Sequence, residues 1–256
     1  APGFINFHIS DEWYTDQVNE IIKSGHNFGN LSNGSGKSIQ LEFGSNNPTG
    51  PLHVGHGRGV VFGSTLANIL EAAGYRVHRE YYINDYGSQM EMFGESILAN
   101  YFTISGKPKE VPDGGYKGEY VGEIANKFRE KFGDTILTLD EKESLKLSID
   151  FGLTKMLAEI KEDLSKLNIH YDEWFSERTL FTSGQYKKTL EVLESQKHTN
   201  SKDGALWFSS TKLGEEKDNV LVRKNGSPTY FASDIAYHHD KFANRKFDQV
   251  IDVWGA

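Results

Sequence analysis

Two histidines stand three residues apart in a loop of glycines and prolines, NPTGPLHVGHGRG, residues 47–59. His53 and His56 can point from one first helical turn toward a single ligand. An imidazole donates a hydrogen bond to a phosphoryl oxygen, and in its charged form it stabilises negative charge that grows in a transition state. Gly50, Gly55, Gly57 and Gly59 leave the backbone open to a flat base or a phosphate. A helix that begins here adds unpaired N–H groups and the positive end of its dipole, which favour an anion. The loop lacks the Gly-Lys-Ser/Thr ending of a Walker A loop and the usual G-x-G-x-x-G fingerprint. A metal site is the competing chemistry for a His-x-x-His pair. The spacing is not the i, i+4 of zincins and no third ligand stands nearby, so no protein-held metal is expected.

Such a loop must be held by a strand before it and a helix after it. SIQLEFGS, residues 38–45, alternates Ile39, Leu41 and Phe43 with Gln40 and Glu42, the period of a strand. A helix is expected from about His56, with Val60, Ser64, Ala67, Leu70 and Ala73 on one face and Gly74 in the left-handed position after its end. YRVHREYYI, 75–83, is a second strand, which makes a βαβ unit with a parallel sheet. Asn84 and Asp85 are the expected caps of a helix over 90–102. Helices are also expected over 121–133, 183–196 and 232–242. The longest runs from about Glu141 to Leu167, where Leu153, Leu157, Ile160, Leu164 and Leu167 form one apolar stripe. Strands are expected at 205–210 and 218–224, with a hairpin at Asn225-Gly226, and the apolar run 250–254 reads as a last parallel strand. The fold class is α/β, a doubly wound parallel sheet interrupted by a mostly helical insertion. Residues 1–22 read as a junction, 23–104 as the first half of the sheet domain, 105–220 as the insertion and 221–256 as the start of the second half.

The composition is that of a soluble globular chain: 37% hydrophobic, 25% charged, 256 residues. No apolar run approaches the roughly 18 residues of a membrane span. Cysteine is absent, which excludes disulfides and thiolate metal sites and fits a reducing compartment. The net charge is −8, which disfavours a wide grip on nucleic-acid backbone by these residues. The opening APGFINF and the closing apolar run lead to the expectation of a piece of a longer protein.

His53-Val54-Gly55-His56 after Pro48-Thr49-Gly50 resembles the HIGH signature of the class I aminoacyl-tRNA synthetases. The longer strings LEFGSNNPTGPLHVGHGRG, ANILEAAGYRVHREYYINDYG, TYFASDIAYHHDK and DVWGA resemble the arginyl-tRNA synthetases, along nearly the whole chain. That resemblance implies a Rossmann-like catalytic core in a cytoplasmic enzyme. It implies that arginine is activated with Mg2+-ATP to arginyl-adenylate, in a step that needs bound tRNA, and then passed to the 3′ end of tRNA(Arg). It assigns His53 and His56 to catalysis and, with Gly50 and Gly55, to ATP. It assigns Glu42, Asn47, His53, Tyr230 and Asp234 to L-arginine. A guanidinium, planar with five donors, is best matched by fixed carboxylates, which suits Glu42 and Asp234. Read without the resemblance, Glu42 is rather a solvent-facing strand residue, Asp234 equally a helix N-cap, and Tyr230 can be a core aromatic. His238, His239 and Asp240 read as decoration of a solvated helix face.

The second ATP loop of the class, the anticodon-binding domain and the N-terminal tRNA-binding domain find no match here. The expectation is that these 256 residues alone charge little tRNA, with most tRNA contact made elsewhere. Two alternatives keep the fold but change the function: a non-catalytic module, and a nucleotidyltransferase acting on a small molecule.

Overall fold

A computed structural model describes residues 3–254. Ala1, Pro2, Gly255 and Ala256, the ends of the APGFINF and DVWGA strings, lie outside the described residues. The helices are α1 Asp11–Ser24, α2 Val54–Ala72, α3 Ser88–Ile104, α4 Glu119–Phe132, α5 Glu141–Lys166, α6 Glu177–Thr182, α7 Gln185–Ser195 and α8 Tyr230–His239. The strands are β1 Ser38–Phe43, β2 Arg76–Ile83, β3 Glu173–Ser176, β4 Thr199–Lys202, β5 Ala205–Phe208, β6 Asn219–Val222 and β7 Gln249–Val253. A π-helical turn, Asp240–Asn244, continues α8.

The main sheet runs β3-β2-β1-β7, with every neighbouring pair parallel. All six residues of β1 are buried, because a parallel sheet is covered on both faces. The alternation in SIQLEF therefore does not mark a wet face. Leu41 and Phe43 pack under α2 and the end of α5 with Val60, Ala67, Ile160 and Leu164. On the other side Tyr82, Phe175, Ala236 and Tyr237 bring α8 onto the sheet. A separate core of Phe93, Ile97, Tyr101, Phe128, Phe151 and Met156 joins α3, α4 and α5. α5, about 39 Å long at 1.5 Å per residue, has Phe151 and Met156 in that core and Ile160 and Leu164 in the sheet core. It fastens the helical part to the sheet. Leu167, the end of the expected stripe, is half exposed just beyond the helix.

Several expectations are revised. α2 starts at Val54, not His56, because the His53 side chain accepts a hydrogen bond from the His56 backbone and caps the helix. Histidine lies outside the usual N-cap set, so the start was hidden. α3 is capped by Gly87, not by Asn84 or Asp85. Asp85 instead accepts from Ser176 Oγ at 2.6 Å and the Arg178 backbone at 3.0 Å, so it ties the end of β2 to the start of α6. The stretch 105–220 holds α4, α5, α6 and α7, and strands beyond the one expected at 205–210. β3 within it pairs with β2 in the main sheet, and β4, β5 and β6 form an antiparallel sheet. The Asn225-Gly226 turn closes with a 2.8 Å bond from the Arg223 N–H to the Ser227 carbonyl, but beyond it only Val222 and Pro228 bridge.

Gly63 sets how closely α2 lies on β1. A Cβ built there would stand 2.2 Å from Phe43 Cγ. Gly63→Ala is expected to lower unfolding stability by about 1–3 kcal/mol through overpacking. Urea unfolding at constant m-value measures this, and an unchanged midpoint would show that α2 can lift without loss.

Candidate active site

The loop between β1 and α2 is pinned from three sides. The Tyr171 hydroxyl donates to the Phe43 carbonyl, Tyr81 to that of Asn46 and Tyr120 to that of Thr49. The last bond, 2.7 Å, comes from α4 and links the helical part directly to the loop. At the loop's end His53 and His56 cap one another. Nδ1 of His53 accepts from the His56 backbone at 3.3 Å, and Nδ1 of His56 accepts from the His53 backbone at 3.4 Å. The rings stack with centroids 3.5 Å apart. An Nδ1 that accepts carries no proton, so each neutral ring holds its hydrogen on Nε2 and donates from there. Desolvation, then the neighbouring His53, lowers the His56 pKa. With both Nδ1 atoms accepting, the pair presents its Nε2–H groups as donors, the first of the two roles the sequence suggests. Gly55 keeps the turn clear, since a Cβ there would meet the His53 ring at 3.0 Å.

His56, Asn47 and Gly50 line a cavity of about 390 Å³ with Asn46, Thr49, Tyr116 and Tyr120. No carboxylate is among its lining residues. A second cavity, about 270 Å³, is lined by Glu42, Asp234, Tyr82, Tyr237, His238 and Trp254 among others. Ser45 lines both. It sits at φ 45°, in the left-handed region. Its hydroxyl donates to Glu42 Oε1 at 3.0 Å and accepts from the Tyr82 backbone.

Strand register explains the second cavity. Glu173, Glu80, Glu42 and Asp252 are successive partners across β3, β2, β1 and β7, a row of four acids on one face. Two cations beneath α8 answer them. Lys241 Nζ is 2.9 Å from Glu42 and 2.8 Å from Asp252. The Arg245 guanidinium is shared by Glu80 and Glu173, and its Nε lies 3.0 Å from Asp240. Tyr237 donates to Glu80. Glu42 is only 5% exposed and Lys241 0%, so Glu42 is no solvent-facing strand residue. Burial pushes the Glu42 pKa up, against the pull of Lys241. Burial would also raise Asp252, but His238 and Lys241 outweigh it and hold it at about 2. His238 donates from Nδ1 to the Asp234 carbonyl and from Nε2 to Asp252, so it is doubly protonated and its pKa is raised, chiefly by Asp252. His238 and Asp240 are thus structural partners, not surface decoration.

Asp234 is not the N-cap of α8; Thr229 is. Asp234 is exposed to solvent at the cavity mouth, its carboxylate accepts no hydrogen bond among the described residues, and partial desolvation raises its pKa. Counted formally, the three carboxylates Glu42, Asp234 and Asp252 outnumber by one the two cations Lys241 and His238 at and behind the wall of the second cavity. Tyr230 is 58% exposed rather than a core aromatic. It lines a third, larger cleft of about 820 Å³ with Tyr86, Arg178, Phe181 and Glu177. Glu177 is buried there and pushed up to about 7 by desolvation. The structure thus joins Glu42 with Asp234, and His56 with Asn47 and Gly50, while Tyr230 stands in a neighbouring cleft. Ser45, Lys241 and Asp252 escaped the sequence reading, because only strand register and the π turn bring them in.

His78, Glu80 and Glu173 place ligand atoms within 4.8 Å of one another, the spacing of a metal site. Arg245 occupies both glutamates, so the cluster is an ion-pair network. No helix among the described residues is long and apolar enough to cross a membrane.

A family model described as tRNA synthetases class I (R), catalytic domain, matches residues 17–255. The chain belongs to the class I arginyl-tRNA synthetase family. An arginine–tRNA ligase of Dehalococcoides mccartyi is 49% identical over 255 residues, all of this chain and 46% of the relative. The chain thus spans about half the length of the curated relatives it matches. An arginyl-tRNA synthetase structure from Campylobacter jejuni superposes with TM-score 0.86 at 36% identity, covering 97% of this chain and 54% of the other. That from Thermus thermophilus gives 0.56 at 26%, covering 94% and 41%. The Rossmann-like parallel sheet with flanking helices is the synthetase core expected from the signature.

The cap and the chemistry of His53 are separable. His53→Ala is expected to cost about 1 kcal/mol of stability, while His53→Asn, an alternative N-cap, restores most of it. Equal unfolding midpoints for the two variants would contradict the capping role.

His78 is raised from 6.5 to about 9, first by its bond to Glu173, then by Glu80. Its stabilisation is full below about pH 6.5 and fades as the pH rises through 9. Stability should fall over that window in the parent and much less in His78→Gln. Parallel pH curves would remove His78 from the network.

Proposed function

We propose that the two smaller cavities are the activation centre of an arginine–tRNA ligase. It joins L-arginine to ATP as arginyl-adenylate and then to the 3′ end of tRNA(Arg). The observation that carries the reading is the formal excess of one carboxylate at the Glu42–Asp234 cavity, next to a pair of preset histidine donors. A guanidinium entering that cavity balances the count and meets Asp234, which has no internal partner. ATP fits the other cavity, which His56 lines with His53 stacked beside it, and where the start of α2 offers its dipole. Gly50 and Gly55 keep that approach open. With no carboxylate lining it, Mg2+ arrives with the nucleotide rather than on the protein. Ser45 stands between the two, so the arginine carboxylate and the α-phosphate meet over this residue, with Asn47 beside them. The larger cleft, with Tyr230 and Tyr86 as stacking faces and Lys142, Lys146, Arg178 and Arg223 as cations, suits the terminal nucleotides of tRNA. Cytoplasmic location follows from this role.

The test is arginine-dependent, tRNA-dependent ATP–pyrophosphate exchange by the full-length protein. Asp234→Asn should raise the arginine KM by roughly 10- to 1000-fold, about 1.4–4 kcal/mol, with lysine no better used. Glu42→Gln should do the same, although it also unpairs Lys241. Unchanged arginine kinetics in Asp234→Asn would take this carboxylate out of the pocket.

A further inference from the structure

Lys241 is the one lysine among the described residues that is fully buried. Its ammonium has a complete set of partners. Two hydrogens go to Glu42 Oε2 and Asp252 Oδ1 at 2.9 and 2.8 Å, and the charge lies 4.0 Å from the centre of the Tyr237 ring. Two carboxylates and an aromatic face are what a primary ammonium needs to leave water. The fold therefore contains a finished ammonium site behind the cavity wall, against Glu42 and Tyr237, and its own side chain fills it. The π turn that follows α8 delivers this residue, which a regular helix would place elsewhere.

We propose that Lys241 is a specificity-determining residue that fills the ammonium position behind the wall of the substrate cavity and so turns free lysine away. This rests on the reading of the cavity as the arginine site. With Lys241 in place, Glu42 Oε2 and Asp252 Oδ1 are taken. The free acceptor left is the Asp234 carboxylate, with Glu42 Oε1, now held by Ser45, beside it. A forked guanidinium can engage such separated oxygens; a single ammonium on a side chain of similar reach cannot replace the deeper contacts it would lose with water. Selection against lysine is thus made by occupation, not by a clash.

The test uses the full-length protein in ATP–pyrophosphate exchange with arginine and with lysine. Lys241→Ala empties the ammonium position. Lys241→Ala/Asp252→Asn empties it while keeping the net charge, which guards against a variant that does not fold. In either folded variant the ratio of kcat/KM for arginine over lysine should fall at least 10-fold, chiefly through a lower lysine KM. Added ethylammonium should restore the ratio by refilling the position, a rescue that a structural role alone would not give. Folded variants that keep the parental ratio, or a lost ratio that ethylammonium does not restore, would overturn the proposal. A parent protein with no arginine-dependent exchange would instead overturn the reading of the cavity itself.

Discussion

Four carboxylates in register across a parallel sheet are the constraint to which the rest of this structure answers. Glu173, Glu80, Glu42 and Asp252 stand side by side on one buried face, where unpaired charges cannot persist. Lys241 and Arg245 reach them only because α8 relaxes into a π turn at Asp240. The order β3-β2-β1-β7, the packing of α8 on the sheet and the position of the second cavity are therefore one arrangement. Removing a cation leaves acids with acids; sliding a strand by one residue turns its acid toward the opposite core.

The same arrangement grades the row by function. At the Glu80–Glu173 end both oxygens of Glu80 and Oε2 of Glu173 are taken up by Arg245, His78 or Tyr237, and burial at Glu80 is overcome so that its pKa lies at about 2. That end is closed and structural. At the Glu42–Asp252 end the cavity opens, Asp234 joins without a partner, and the carboxylates outnumber the cations by one. Ser45, in the left-handed region, carries the chain from this end into the histidine loop, so the two cavities share a wall.

How much of this was legible in the sequence depended on range. The histidine loop, the βαβ unit, α5 and Gly74 are local patterns, and they stood out. The start of α2 was displaced by two residues because a histidine pair does the work of a usual N-cap. The covered face of β1 was misleading, since Glu42 there meets the buried Lys241 rather than water and Gln40 is buried without a side-chain partner. The acidic row was invisible, because its members lie on four strands spread from residue 42 to residue 252 and only register aligns them. His238 and Asp240 read as the wet face of a helix for the same reason. β4 is short and polar, Thr-Asn-Ser-Lys, and owes its form to β5 rather than to any propensity of its own.

The most direct measurement is a crystal structure of the full-length protein with bound L-arginine. The guanidinium should lie within about 3 Å of the Asp234 carboxylate, in the cavity walled by Glu42 and Tyr237, with Lys241 still between Glu42 and Asp252. Arginine found in the cleft of Tyr86 and Phe181, or Lys241 driven from its two carboxylates, would contradict the assignment.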